Sequence, residues 1–292
     1  MIKAILLATR PKTLPAAVVP VWAGCVLAWK LSGAWSPLLG VCTVLGALCI
    51  QIATNFFNDA IDSAKGADTE RRVGPQRVTA SGLMTPRTVM MGGGVFLLLT
   101  VAFGVPLYQA AGWPILAMGA ISIYLAYGYT GGPFPLAYRG MGEVFVILFF
   151  GIVAVMGTVF IQLREWRWEA LLLGLQVGFL SAVLISINNL RDRIEDATTG
   201  KHTLAVRWGP KVARLLIWAE VKIPVLLAIL WLVIGLPWLL LAVLPVLTLG
   251  MRISWGALSM DEGPGMNRLL AMGGLQLVAF AGAFHLAAVF GP

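Results

Sequence analysis

The stretch that decides the fold is LGVCTVLGALCIQIATNFFNDAIDSAKGADTERRVGPQR, residues 39–77. Its first part, 39–53, is an unbroken apolar run without alternation, the body of a membrane-crossing helix and not a strand. Such a run ordinarily ends in a neutral loop. This one ends in small polar acceptors: Asn55, Asn58, Asp59 and Asp62. If the helix continues, they fall at i, i+3, i+4 and i+7, on one face. The stretch then turns basic, with Lys65, Arg71, Arg72 and Arg77. An acidic face at a helix mouth followed by arginines is a place where a metal ion and a phosphate can meet. The bland alternative is a solvated charged loop.

Composition agrees with the apolar run. The chain has 292 residues, 59% of them hydrophobic and 12% charged, with a mean hydropathy of +0.87. Soluble chains carry roughly 25% charged residues. The expected class is therefore an all-α integral membrane protein, a single polytopic domain over residues 1–292. Nine spans are predicted, at approximately 14–31, 38–57, 88–109, 113–129, 141–162, 168–187, 213–235, 238–257 and 267–290, the fourth being short. The opening MIKAILLATRPK lacks a small-residue cleavage site and is read as retained. Cys25, Cys42 and Cys49 fall inside apolar runs and read as small buried hydrophobes. With only two histidines, His202 and His285, a histidine-based metal centre is not expected.

Lysines and arginines give the orientation. With the N-terminus inside, the inner segments hold Lys3, Arg10, Lys12, Lys65, Arg71, Arg72, Arg77, Arg87, Arg139, Arg191, Arg193, Lys201, Arg207, Lys211, Arg214, Arg252 and Arg268. The outer loops hold only Lys30, Arg164 and Arg167, and Lys222 lies within the seventh span. This asymmetry predicts a cytoplasmic N-terminus in a cell (inner) membrane, and it accounts for the net charge of +8. No nucleic-acid partner is expected, because no compact basic domain exists to read a groove. Only two inner segments are long, 58–87 and 188–212, and both are rich in Asp and Arg.

The second of these reads NNLRDRIEDATTGKHTLAVRWG over 188–209. Asn188, Asp192 and Asp196 are four apart, again one helical face, with Asn189 beside them and Lys201 and Arg207 following. Asp59, Asp62, Asp192 and Asp196 brought together at the edge of a low-dielectric region would repel strongly unless a cation sat between them. Carboxylate and amide donors select a hard cation, Mg²⁺ first. Asn58 and Asn188 are its expected partners, and Asp68 a further candidate. Arg72, Arg77 and Lys201 are expected on a diphosphate. An Mg²⁺-diphosphate at a helix mouth implies a substrate with a polar head and a lipid tail, for which a polyprenyl diphosphate fits. The metal and the basic residues would stabilise the departing diphosphate while a dry cavity shields the allylic cation. Phe56, Phe57, Tyr124, Tyr127 and Tyr129 are the aromatic candidates for stabilising that cation. Glu143, just after Gly140 and Gly142, reads first as stabilising a helix N-terminus.

These residues resemble the intramembrane prenyltransferases of the UbiA superfamily. The motifs are Asn58, Asp59, Asp62 and Asp192, Asp196, each pair of acids at the inner end of a span. Within the superfamily the chain looks most like the branch that prenylates 1,4-dihydroxy-2-naphthoate in menaquinone synthesis. That likeness rests on Gly66, Asp68 and Thr69, on Gly74 through Arg77, on Tyr129 through Pro133, on Gly200, Lys201, Thr203 and Leu204, and on Arg10 through Thr13. In 4-hydroxybenzoate relatives a third Asp follows the second by four residues. Here that position is Gly66 and the next carboxylate is Asp68. The resemblance implies nine helices around a central cavity open to membrane lipid, Mg²⁺ held through Asp59, Asp62, Asp192 and Asp196, and prenylation with loss of CO₂. It leaves Arg10, Arg77 and Arg139 as choices for the acceptor carboxylate. The competing readings are another aromatic acceptor, such as 4-hydroxybenzoate or homogentisate, and a cation transporter. Transport ordinarily places ionisable groups near the bilayer midplane, whereas nearly all carboxylates here fall at inner helix ends.

Overall fold

The computed structural model describes residues 2–67, 74 and 76–291. Among them there is no strand. The helices are α1 (Ile2–Thr9), α2 (Pro15–Ser32), α3 (Pro37–Ala64), α4 (Pro86–Ala111), α5 (Trp113–Gly128), α6 (Gly142–Leu163), α7 (Trp168–Arg191), α8 (Arg193–Thr198), α9 (Leu204–Val233), α10 (Pro237–Ser259) and α11 (Met266–Phe290). Prolines open α2, α3, α4 and α10, where a missing N–H costs nothing. Ser36, Thr85 and Thr203 cap α3, α4 and α9 through their hydroxyls.

Eight helices are long and apolar enough to cross a membrane: α2, α3, α4, α6, α7, α9, α10 and α11. The ninth apolar helix, α5, has 16 residues. At 1.5 Å per residue it reaches about 24 Å, short of a hydrocarbon core of ~30 Å. The protein is thus an all-α chain of membrane-spanning helices. Each apolar helix falls where a span was expected, and the differences lie at the ends. α3 runs to Ala64 and α7 to Arg191, so both acidic stretches begin as helix. α9 starts at Leu204 and breaks at Gly209, which adopts φ 81° ahead of Pro210.

The largest core joins α2, the C-terminal part of α6, α7, α9, α10 and α11, with Leu27, Leu173, Ile217, Trp231, Ile253, Phe280 and Phe284 inside it. α7 is the most enclosed of the spans. Its Gly174 and Gly178 form a GxxxG pair that meets Gly151 of α6. A Cβ on Gly151 would lie 2.3 Å from the Gly174 carbonyl oxygen and 2.5 Å from Gly178 Cα, so the two backbones touch. α6 is wound as a π-helix there, over Ile147–Val153. In the other half, Phe56 and Phe57 of α3 press onto Gly92 and Gly93 of α4.

Candidate active site

The C-terminal turns of α3 carry the first acidic stretch. Asn55 is spent on the N-terminal segment: its amide donates to the Thr9 carbonyl (3.0 Å) and the Thr13 hydroxyl (3.2 Å). Arg10, held in the left-handed region at φ 50°, donates back to the Asn55 carbonyl at 3.5 Å. Asn58 accepts from the Thr130 hydroxyl. Asp59 is buried and accepts two backbone N–H groups, from Val78 (3.1 Å) and Thr79 (2.9 Å). It therefore anchors the turn that follows Arg77.

Asp62 is the hub. Though only 3% exposed, it accepts from the Tyr138 hydroxyl at 2.9 Å and from Lys201 Nζ at 2.9 Å, and Arg77 Nη2 lies 3.5 Å away. Lys201 comes from the second acidic stretch, 139 residues along the chain. The two stretches thus meet at one end of the bundle. Around them, Lys65 Nζ donates to the Thr130 carbonyl (2.8 Å) and stands 4.1 Å over the Tyr138 ring. The Tyr138 carbonyl accepts from the His202 N–H. Partial burial and the neighbouring Lys201 lower the Lys65 pKa against the opposing pull of Asp62, burial being the largest cause.

The second stretch is built on α7 and α8. Asp192 closes α7, and the bonds Asp192 N–H to Asn188 O (3.0 Å) and Asp196 N–H to Asp192 O (2.8 Å) keep the helical spacing of the three residues. Arg191, itself 4% exposed, grips Asp192 with two bonds of 2.7 and 2.6 Å. It also donates to Asn188 Oδ1 (2.6 Å) and Asn267 Oδ1 (2.7 Å). Asp196 is half-buried on α8, and its backbone carbonyl accepts the Lys201 N–H at 3.0 Å. Asn189 points elsewhere and donates to Glu143 Oε1 at 2.9 Å.

The expected single cluster of Asp59, Asp62, Asp192 and Asp196 is not what the side chains form. Among the described residues no three Asp, Glu, His or Cys side chains gather around one metal position. Asp62 is balanced by Lys201 and Arg77, and Asp192 by Arg191, so protein cations offset the repulsion. Arg72 and Asp68 lie outside the described residues. Arg139 is exposed and stacks 3.8 Å over Phe134. Of the aromatic candidates, Phe56 and Phe57 are helix packing, and Tyr124 and Tyr127 are 63% and 40% exposed. Tyr129 stands beside α6, with its hydroxyl over Gly142 and its ring 5.2 Å from that of Phe145. Sequence reasoning missed Tyr138 and the buried Arg191. Two clefts of about 350 and 880 Å³ open elsewhere on the molecule, and no acidic residue lines either.

The sequence matches the UbiA prenyltransferase family over residues 17–284. The chain belongs to that family. A relative from Mycobacterium leprae, 1,4-dihydroxy-2-naphthoate octaprenyltransferase, is 36% identical over 95% of this chain and 95% of its own. Proteins of the same name from Bacillus subtilis (34% identical, 82% of this chain and 77% of its own) and Escherichia coli (35%, 70% and 68%) are also similar. Among solved structures, a UbiA homologue from Aeropyrum pernix K1 superimposes with a TM-score of 0.72 at 14% identity, covering 94% of this chain and 97% of its own. A UbiA homologue from Archaeoglobus fulgidus bound to GPP and Mg²⁺ gives a TM-score of 0.64 at 16% identity, covering 98% and 99%. At such identities these two establish the shared fold.

Proposed function

We propose that this protein transfers a polyprenyl group from polyprenyl diphosphate to 1,4-dihydroxy-2-naphthoate, with loss of CO₂, giving demethylmenaquinol. The observation that carries the reading is the convergence on Asp62 of Lys201, Arg77 and Tyr138, from three separate parts of the chain, at the mouth of an apolar helix. The relatives named for this reaction, similar along most of the chain, supply the acceptor. In this reading the short α5 serves as the ninth span, which puts the N-terminus and both polar segments at the cytoplasmic face, as the distribution of Lys and Arg supports.

The donor chemistry fits a hard divalent cation. Asp62, Asp192 and Asp196 offer oxygen only, and each of the first two is already held against a basic side chain that can turn to phosphate oxygens. Mg²⁺ held through Asp62 on the first stretch, and through Asp192 and Asp196 on the second, would neutralise charge on the leaving diphosphate. Arg77, Lys201 and Lys65 bind the same group by charge-assisted hydrogen bonds. Asp59 keeps the loop bearing Arg77 in place through Val78 and Thr79, Asn58 and Asn188 position their neighbours, and Arg10 braces the N-terminal segment against α3. Arg72, five residues before Arg77 in the sequence, is proposed to join the basic set. Tyr129 presents its π face to the allylic cation, and the apolar helices exclude water. The test is to supply purified protein in nanodiscs with Mg²⁺, a polyprenyl diphosphate and a panel of aromatic acceptors, and to weigh the products. A prenylated product lacking the elements of CO₂, formed from dihydroxynaphthoate and not from homogentisate or 4-hydroxybenzoate, is expected. Ion flux in proteoliposomes with no prenyl transfer would overturn the assignment.

A further inference from the structure

Glu143 is left over by this scheme. It sits on the first turn of α6 and is 3% exposed. One carboxylate oxygen is held by Asn189, and the other, Oε2, has no hydrogen-bond partner among the described residues. A carboxylate oxygen buried and unmatched is costly, and a site that keeps one normally has a donor to offer it. The surroundings indicate which donor. Asn189, one residue beyond Asn188 and three before Asp192, orients the carboxylate from the helix that carries the second acidic stretch. Tyr129 crosses directly over the adjacent Gly142, where a Cβ would lie 3.1 Å from its hydroxyl. Asn189 neighbours Asn188 on α7, and His202 of the second stretch donates to the Tyr138 carbonyl just ahead of α6, so Glu143 lies on the flank of that stretch. From Tyr129 a row of rings runs along α6: Phe145 at 5.2 Å and then Phe149, stacked on Phe145 at 4.7 Å and 20°. The rings form an aromatic row, Tyr129 tilted 41° to Phe145, that starts at the hydroxyl over Gly142, the residue before Glu143. The contact of Gly151 with Gly174 and Gly178 fixes α6 on α7 and so fixes Glu143 against Asn189.

The geometry points to Glu143 as the residue that receives the acceptor's hydroxyl, the one beside the carboxylate-bearing carbon, on Oε2. This rests on the proposed reaction and adds a proton path to it. As the allylic C–O bond breaks, its electron pair leaves with the diphosphate. A ring π pair at the carboxylate-bearing carbon forms the new C–C bond, and the neighbouring hydroxyl passes its proton to Oε2, leaving a ketone. The bond to the carboxylate then breaks and CO₂ departs. The released pair restores the aromatic ring, the oxygen takes its proton back, and Glu143 ends as it began. No net proton is gained or lost.

The experiment uses the full chain in nanodiscs with Mg²⁺ and polyprenyl diphosphate. Glu143→Gln is expected to lower kcat on dihydroxynaphthoate on the order of 10²-fold, with the KM for the diphosphate within about two-fold, and Glu143→Asp to recover part of the loss. Two monomethyl ethers serve as competitive ligands. The isomer that keeps the hydroxyl beside the carboxylate should bind wild type at least roughly ten-fold more tightly than the isomer that masks it, and Glu143→Gln should erase the difference. Near wild-type turnover by Glu143→Gln, or a loss of diphosphate binding and thermal stability in step with kcat, would overturn the inference. If that variant does not fold, the ethers still decide on wild type: equal affinity overturns it. Wild type that ignores dihydroxynaphthoate but prenylates another acceptor refutes the proposed function instead, a separate outcome.

Discussion

Asp59 and Asp62 stand one turn apart on α3 and do different work. Asp62 faces three partners that also suit a diphosphate, whereas Asp59 faces two backbone N–H groups of the turn after Arg77. Asp62→Asn removes charge where the leaving group is stabilised and is expected to cut kcat on the order of 10²-fold or more. Asp59→Asn loosens the turn that carries Arg77. It should raise the KM for the prenyl diphosphate and lower the melting temperature, with a smaller change in kcat; steady-state kinetics beside a thermal scan separates the two. Lys65 supplies a pH test. Its lowered pKa means that, as pH rises, this cation is lost from the phosphate end earlier than an ordinary lysine would be. Diphosphate binding should therefore weaken on the alkaline side below the usual lysine range. Lys65→Arg, always charged, should extend it upward; an unchanged alkaline limb would contradict the role. Asp62 and Lys201 were legible in the sequence because spacing and residue type both marked them. Arg191 was not. It reads as one of many inner cations, and only burial beneath Asp192, Asn188 and Asn267 distinguishes it. Tyr138 was obscured in the same way, since nothing local says that a loop tyrosine reaches Asp62; Glu143 was marked as a helix N-terminal acid, but nothing local says that Asn189 turns toward it.

At the scale of elements, apolar length placed every long helix, because a bilayer-spanning run leaves little choice of structure. The ends were harder to place. Hydropathy falls off near residue 57, yet α3 persists to Ala64 because its polar last turns bury their side chains against loops and against the N-terminal segment. The break at Gly209 followed by Pro210 was signalled by the residues themselves, whereas the π-helical turn of α6 has no such local mark. A different signal was present for the α6 and α7 contact: the spacing of Gly174 and Gly178. Gly151→Ala tests that contact, because its methyl group has only backbone to displace. The expected cost is about 1–3 kcal/mol, read as a lower melting temperature in detergent together with slower turnover as Glu143 and Asn189 move apart. Gly94→Ala, with open space around it, is the control and should change neither.

For the whole molecule, both polar segments and the N-terminal segment meet at one end of the bundle, through Asp62 with Lys201 and Asn55 with Thr9. The proposed orientation rests on the distribution of Lys and Arg across the two ends. A cysteine placed at Lys211 should react with an impermeant thiol reagent only from the cytoplasmic side, and one at Trp166 only from outside, in a variant whose three native cysteines are replaced; the reverse pattern would overturn the topology. The central claim is that these two segments form one prenyl-transfer site. The direct measurement is single-turnover prenyl transfer to dihydroxynaphthoate by wild type, Asp62→Asn and Asp192→Asn in nanodiscs, with product mass and diphosphate binding followed together. The account predicts a decarboxylated, prenylated product from wild type, and from each variant a loss of turnover on the order of 10²-fold. Wild-type turnover retained by either variant would contradict it.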